Sequence, residues 1–358
     1  MRSLYAAQIK NCRALAVPAR MRDNLKEIGI GSEKFSELMH PLNTILHIEK
    51  KIAVAVSGGA DSLGLAILLS GWIKGKNIKL HALTVDHDLR VESSIEAKLV
   101  AKILKPFGLT HKILKWEGKK PTTKIQEAAR NARYALMTEY CLTHKINFLC
   151  VAHHGQDQME TILFRLAKGT GLDGASGMRS VQTFENGLTL LRPLLSVSHQ
   201  DLCNTCIEHG VQWIEDPSNV NNKYARIRIR QVLDTLQREG LTPQRIESFS
   251  HRVTSSLELI DFFIDKTYQD ILVNKDIHKI EINFTKFLLI PLDGQVRILK
   301  MIIAELKPHK KYPARLEDIE RLARSMKIEF KGKTLGGCHF KIKKKNLSIS
   351  LEKLKSKS

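Results

Sequence analysis

Ile52-Ala-Val-Ala-Val-Ser57-Gly58-Gly59-Ala60-Asp61-Ser62 is the stretch whose reading decides the fold. An unbroken apolar run rich in β-branched residues reads as a strand buried on both faces, as in a parallel sheet. Two glycines end it, and a helical pattern opens at Ser62 and runs to Lys74. Gly58 and Gly59 have no β-carbon, so their backbone can take positive φ and press N–H groups against phosphate oxygens, with a helix N-terminus behind them. Ser57 and Ser62 can add hydroxyl hydrogen bonds, and the Ala60 amide belongs to the same turn. Asp61 would repel a bare phosphate and is expected to work through Mg²⁺ or on the loop's own amides. The blander reading of Gly-Gly after a strand is an ordinary turn with Ser or Asp capping the helix. The full Ser-Gly-Gly-x-Asp-Ser string at a strand end argues for the phosphate loop.

Outward from this loop, short apolar runs at 52–56, 78–85, 109–116, 146–152 and 188–191 alternate with helical patterns at 62–74, 94–105, 124–143 and 158–167. Such alternation predicts α/β architecture: a doubly wound parallel sheet with crossover helices. Past Arg230 the pattern becomes helical and the net charge of residues 231–300 is close to zero. The last 28 residues differ again, with nine Lys and one Glu. There Cys338, Phe340 and Ile342 alternate with His339, Lys341 and Lys343, and a turn at 344–346 leads into Leu347, Ile349 and Leu351, which predicts a hairpin with one apolar and one basic face. The expected organisation is an N-terminal extension at 1–40, an α/β lobe carrying the phosphate loop at 41–225, a helical linker domain at 226–330 and a small basic β-containing region at 331–358.

The chain has 358 residues, 43% hydrophobic and 26% charged, which places it among globular proteins. Its longest apolar stretch, 63–73, is far shorter than a membrane span, and no membrane partner is expected. An excess of 57 Lys plus Arg over 37 Asp plus Glu, net +20, favours a polyanionic partner, with nucleic acid leading. Six scattered cysteines read as reduced thiols in the cytoplasm. Arg2, Lys10, Arg13, Arg20 and Arg22 precede any carboxylate and suggest a basic arm or transit segment, or an upstream stretch before a working start at Met21 or Met39.

The glycine string resembles the pyrophosphate-binding loop of the ATP pyrophosphatases, and an ordered set of further segments narrows the likeness. Val85-Asp-His-Asp-Leu-Arg90, Gln126-Glu-Ala-Ala-Arg130 with Arg133-Tyr134, Ala152-His-His-Gly-Gln-Asp-Gln-Met-Glu-Thr161, Arg165-Leu-Ala-Lys-Gly-Thr-Gly171, Arg192-Pro-Leu-Leu195 and Trp213-Ile-Glu-Asp-Pro-Ser-Asn219 together resemble the tRNA(Ile)-lysidine synthase family over residues 52–230. The resemblance implies ATP as adenylating agent, Mg²⁺, L-lysine, and the isoleucine tRNA with a CAU anticodon. Cytosine O2 would attack the α-phosphate of ATP, and the lysine ε-amine would then displace AMP at C2. A homo-oligomer is left open.

Two tasks follow from that chemistry. Phosphate charge would be met by the 57–62 loop, with Arg130 or Arg133 as clamp beside Glu127 on one helix face. A cationic amine would be received by Asp157 and Glu160, spaced i to i+3 at a helix start beyond a strand end. Surface charge ladders and helix-capping carboxylates are the ordinary alternatives. His153 is read as a polar contact to nucleotide or base; adjacent His153 and His154 diverge, and no metal ligands are assigned. Gln156, Asn221 and Ile227 depart from the family pattern. Cys203-x₂-Cys206 with His209 hints at metal or redox chemistry but more simply places two thiols on one buried helix face. A tRNA thiolase sharing the ATP loop, and a catalytically idle tRNA-binding protein, are the competing functions. Arg226, Arg228, Arg230 and the C-terminal lysines form the expected RNA-facing surface, and truncation after Phe330 is expected to weaken tRNA binding while ATP binding survives.

Overall fold

Strand β1 (Lys51–Ala55) pairs in parallel with β2 (Lys79–Asp86) on one side and β4 (Phe148–Cys150) on the other. With β3 (Thr110–Lys115), β5 (Val181–Thr183) and β6 (Thr189–Leu191) the sheet has the order β3-β2-β1-β4-β6-β5, parallel except for edge strand β5. This computed structural model describes residues 29–46, 49–89, 92–118, 120–215, 225–306, 314–328, 330 and 332–352. The chain divides into two units, 1–253 and 254–358.

The strand order reverses at β1, so a crevice opens beyond the C-terminal ends of β1 and β4, the place where open α/β sheets bind ligands. Period-two alternation along β1 explains its two-sided burial. Ile52, Val54 and Val56 enter one core and Ala53 the other. The first core packs the sheet against α1 (Ser32–Leu46), α2 (Ala60–Trp72), α3 (Ser93–Leu104) and α7 (His199–Glu208). The second packs it against Met137 and Cys141 of α4 (Ile125–Thr143). Helix α2 is buried along nearly its whole length, which is why its sequence is apolar on every side. Each such fully buried Leu or Ile contributes about 1.5–3 kcal/mol of transfer free energy. A β-carbon at Gly64 would stand 3.3 Å from Leu202 Cδ2 and from the Leu202 carbonyl, so Gly64 is what lets α7 lie close to α2.

The predicted strands and crossover helices of this lobe are all present. The N-terminal extension needs correction, because residues 32–40 lie in α1, whose Phe35, Met39, Leu42 and Leu46 are core side chains. Just upstream, the Gly29 N–H donates to Glu208 Oε1 at 2.7 Å and the Ile30 N–H to Thr205 Oγ1 at 3.0 Å. Strand β5 was not expected, while α7 is the helix on which Cys203 and Cys206 were read as two thiols of one buried face. Helices α5 (Gly155–Leu166), α6 (Leu172–Ala175) and α8 (Ala225–Arg238) belong to this part of the chain, and α9 (Pro243–Ile271) begins in it and ends in the second unit, where Tyr268 and Ile271 are core side chains. Met159 and Ile162 of α5 pack with Leu233 and Ile246.

In the second unit β7 (Leu272–Lys275), β8 (Lys279–Asn283), β9 (Lys333–Leu335), β10 (Cys338–Lys343) and β11 (Asn346–Leu351) form an antiparallel sheet in the order β7-β8-β11-β10-β9. The hairpin has the predicted polarity: Cys338, Phe340, Leu347 and Ile349 are buried, while His339, Lys341 and Lys343 face outward. Lys343 pairs with Asn346 across a two-residue turn in which Lys344 has φ 54°. The division expected after residue 330 is crossed by the β8–β11 pairing, because Ile280 and Ile282 need the hairpin's apolar face to complete their core. Helices α10 (Phe284–Leu289), α11 (Leu292–Glu305) and α12 (Leu316–Ser325) belong to this unit. Among the described residues no helix is long and apolar enough to cross a membrane.

Candidate active site

The loop after β1 is held from below by Thr84, whose hydroxyl donates to the Val56 carbonyl at 2.8 Å, and from the side by the Ile214 N–H, which donates to the Gly58 carbonyl at 2.9 Å. Gly58 has φ +97°, and a β-carbon there would lie 2.9 Å from Val100 Cγ2 and 3.0 Å from Ile214 Cδ1. Glycine is required on both counts. Gly59 corrects the sequence reading: it has φ −76°, extended backbone that any residue adopts, because it is the N-cap of α2. A β-carbon there would meet only Ser57 Oγ at 3.9 Å, so glycine at 59 leaves the outer face of the loop bare.

Ser62 is likewise a brace in place of the expected outward-facing donor. Its buried hydroxyl accepts from the Ser57 and Gly58 N–H groups at 3.0 and 3.3 Å and donates to the Gly59 carbonyl at 3.0 Å. One donor and two acceptor sites are thereby filled. Ser57 Oγ lies 3.1 Å from it. The amides left for an anion are those of Gly59, Ala60, Asp61 and Ser62, since the first N–H groups of a helix have no acceptor within it.

Asp61 does not bond the loop's own amides. Its Oδ1 is 2.6 Å from His199 Nδ1 and its Oδ2 is 3.5 Å from His154 Nε2. Burial would raise its carboxyl pKa, but the two imidazoles and their charge outweigh that and hold it well below the usual range. The hydrogen bond to Asp61, aided by the one to Cys203, pushes His199 up to about 10. For His154, burial opposes the charged form, yet Asp61 and Asp157 together raise it.

His154 is the N-cap of α5 and ties two parts of the site together, since Asp157 Oδ2 also lies 3.5 Å from its Nε2. The same Asp157 oxygen accepts the His154 N–H at 3.1 Å, closing a capping box. Asp157 therefore has the capping role that spacing alone suggested, and its side chain keeps 26% of its surface exposed beside the phosphate loop. Glu160, one turn on, is 4% exposed. Gln156 bonds within the cluster, its Oε1 accepting from the His199 N–H at 3.0 Å.

His153 accepts from Arg192 Nε at 3.3 Å through Nδ1, and Arg192 is itself 6% exposed and bonded to the Arg179 carbonyl and to Gln182 Oε1, both at 2.8 Å. Burial first, then the charges of Arg192 and Arg130, push His153 down to about 4, although Asp157 acts the other way. His153 is a neutral ring with Nδ1 occupied, leaving Nε2–H as its free donor. Arg130 is exposed, with its guanidinium 5.2 Å from the Tyr134 ring. Arg133 reaches His87 Nε2 from Nη2 at 3.3 Å, and burial followed by that cation pushes His87 down to about 4. Glu127 pairs with Lys124 at 3.8 Å, so the predicted Glu–Arg face is divided among different partners. In the 85–90 segment, Asp86 is buried and accepts from Ser93, from Ser94 Oγ at 2.5 Å and from the Asp88 N–H at 3.0 Å.

Cys203 and Cys206 are both buried on α7. Cys206 Sγ donates to the Ala60 carbonyl at 3.4 Å, and His209 bonds the Thr205 carbonyl at 2.9 Å, away from the thiols. The structure thus joins Asp61, Asp157 and the 57–62 loop, and adds His154, His199 and Arg192. His199 lies 138 positions from Asp61 and carried no motif signal. Arg90, Asp216, 217–219 and Asn221 lie outside the described residues, as do the side chains of Arg226, Ile227, Arg228 and Arg230.

A PP-loop domain model matches residues 31–236. The chain is 33% identical to the tRNA(Ile)-lysidine synthase of Wolbachia pipientis wMel over 87% of its own length and 73% of that protein's. It is 33% identical to the tRNA(Ile)-lysidine synthase of Ruegeria pomeroyi, over 81% of this chain and 68% of that one. Among solved structures, a U34-tRNA thiolase from Methanococcus maripaludis with its [4Fe-4S] cluster superposes with a TM-score of 0.54 at 17% identity, covering 62% of this chain and 78% of that chain, a likeness of fold.

Proposed function

The chain belongs to the tRNA(Ile)-lysidine synthase family of PP-loop enzymes, and on that footing we propose that it joins L-lysine to C2 of the wobble cytidine in the CAU-anticodon isoleucine tRNA. ATP is consumed to AMP and pyrophosphate, and the codon read changes from AUG to AUA. The observation that carries this reading is the bridge made by His154. A single imidazole nitrogen stands 3.5 Å from Asp61 in the phosphate loop and 3.5 Å from Asp157 at the start of α5. The loop whose amides suit the leaving pyrophosphate and the carboxylate suited to an incoming ammonium are thereby joined through one side chain, as a two-step adenylation and displacement on one base requires.

In the first step cytosine O2 attacks the α-phosphorus and the bond to pyrophosphate breaks. The 59–62 amides and the N-terminus of α2 suit the negative charge that gathers on the leaving oxygens. Arg130, exposed near the site, and Arg133 supply mobile positive charge. The neutral His153 offers its Nε2–H to an acceptor on the base or nucleotide. In the second step the lysine ε-nitrogen attacks C2 and the bond to the AMP oxygen breaks. Asp157 and Glu160 suit a cationic amine, and a carboxylate there can accept the proton that the nitrogen must lose before and after attack.

Mg²⁺ fits one part of the donor set. A carboxylate at the loop mouth, completed by phosphate oxygens and water, is the ordinary arrangement for this ion, and Asp61 would hold it once drawn from the half-exposed His199. When bound, Mg²⁺ would neutralise phosphate charge.

The second unit presents His339, Lys341 and Lys343 on one strand face, and that face suits an RNA backbone. Mass analysis of the wobble nucleoside after incubation with ATP, lysine and the tRNA tests the reading. A nucleoside heavier by one lysine less one water is expected. Sulfur incorporation would instead indicate a thiolase.

A further inference from the structure

We propose that Asp61, His154 and His199 form a binding site for a borderline divalent transition-metal ion of the Zn²⁺ class, occupied when nucleotide is absent. Three separate elements deliver one donor each: the first turn of α2, the N-cap of α5 and the first residue of α7. One ligand atom from each of Asp61, His154 and His199 lies within 4.8 Å of the other two, and the nitrogens that face Asp61 are His154 Nε2 and His199 Nδ1.

The distances suit such an ion. Tetrahedral ligands at Zn–N and Zn–O lengths of about 2.1 Å stand about 3.4 Å apart. His154 Nε2 and Asp61 Oδ2 are already at 3.5 Å. His199 Nδ1 and Asp61 Oδ1, at 2.6 Å, would have to open by about 0.8 Å. His199 has 51% of its side chain exposed and can make that movement, whereas His154 is 7% exposed and fixed.

A second, independent feature is the treatment of the nitrogens that face away from Asp61. A metal-bound imidazole normally gives its remaining N–H to a partner that fixes ring orientation. His154 Nδ1 faces Gln156, accepting its N–H at 3.2 Å as the helix cap and lying 3.0 Å from its Oε1, which would take the Nδ1–H once Nε2 held a metal, and His199 Nε2 has Cys203 Sγ at 3.5 Å. Gln156 serves both rings, because its Oε1 also accepts the His199 N–H at 3.0 Å. Both imidazoles are thus oriented with one nitrogen toward the carboxylate and the other held from behind. Two nitrogen donors and one carboxylate are the wrong set for Mg²⁺, which wants oxygens, and the right set for Zn²⁺ or Co²⁺. Three protein ligands leave a fourth position for water.

The test is made on the full chain, stripped of metal by chelation and free of nucleotide and tRNA, so its outcome is independent of the reaction catalysed. Co²⁺ is titrated in and its visible d–d bands recorded, with Zn²⁺ displacement as a second reading. One equivalent with nitrogen and oxygen ligation is expected, retained in excess Mg²⁺. His199→Ala, a change at a half-exposed position, should weaken that equivalent at least about 10–100-fold, the loss that even outer partners of a ligand produce. Asp61→Asn should do the same, with circular dichroism reporting the fold; His199→Ala decides alone if that variant does not fold. Unchanged affinity in His199→Ala, a thiolate-to-cobalt charge-transfer band, or displacement by equimolar Mg²⁺ would each overturn the proposal.

Discussion

His199 Nδ1 lies 2.6 Å from Asp61 Oδ1, and this contact joins the start of α7 to the first turn of α2 at the mouth of the phosphate loop. Its pH dependence follows from the shifts. His199 is raised to about 10 from an ordinary 6.5, so its contribution to stability is complete below about 6.5 and disappears as pH rises towards 10. Asp61 is depressed, so its own contribution is present above the ordinary carboxylate range and disappears as pH falls through the lowered value. Because His199 is half exposed, the pair is worth about 1 kcal/mol or less. An NMR titration of the His199 ring should give a midpoint near 10, returning towards 6.5 in Asp61→Asn. A wild-type midpoint near 6.5 would remove the pair.

Gly58→Ala should abolish ATP binding and lower stability by about 1–3 kcal/mol, since φ is +97° and the new methyl meets Val100 and Ile214. Gly59→Ala should spare stability and weaken only nucleotide binding, because its backbone is extended and its surroundings are open. Thermal melts and nucleotide titration of the two variants separate these effects; equal loss of stability in both would contradict the geometry.

How much of this was legible in the sequence depends on the range of the interaction. Strand β1 and the loop were readable because the apolar run and the glycines are local, and the C-terminal hairpin because its alternation has period two. The Gly58/Gly59 distinction was not, since Val100 and Ile214, which enclose Gly58, are distant in the chain. Ser62 looked like a ligand donor because nothing local says that its hydroxyl is filled by the Ser57 and Gly58 amides. His199 and Arg192 act through contacts 138 and 39 positions away, beyond any periodicity. Strands β7 and β8 looked like part of a helical linker because the strand that completes their sheet, β11 beside β8, comes more than 60 residues later.

Arg192→Ala should raise the His153 pKa from about 4, by only part of the way to 6.5, since burial is the larger cause and remains. The loss of a buried hydrogen-bonded cation should lower stability by about 1–3 kcal/mol. NMR titration of His153 reads the first effect and denaturant unfolding the second. An unshifted His153 would show that the 3.3 Å contact does not set its state.

Truncation after Phe330 is a poor test of RNA binding, because it removes three of the five strands of the second sheet and the buried Phe340, Leu347 and Ile349. Lys341→Glu with Lys343→Glu changes the exposed face alone. If both lysines contact phosphates, tRNA affinity should fall and the slope of log affinity against log salt should lessen by about 0.7–0.9 per contact. Unchanged affinity and slope would move the RNA surface elsewhere.

The most direct measurement is turnover of Asp157→Asn against wild type, read as lysine-modified wobble nucleoside by mass analysis. Asn can still accept the His154 N–H, so the fold should persist. The wild type should form lysidine, and the variant should lose about 10²–10⁴ in rate while pyrophosphate release tracks product. Wild-type turnover in Asp157→Asn, or no lysine-bearing nucleoside from the wild type, would contradict the account.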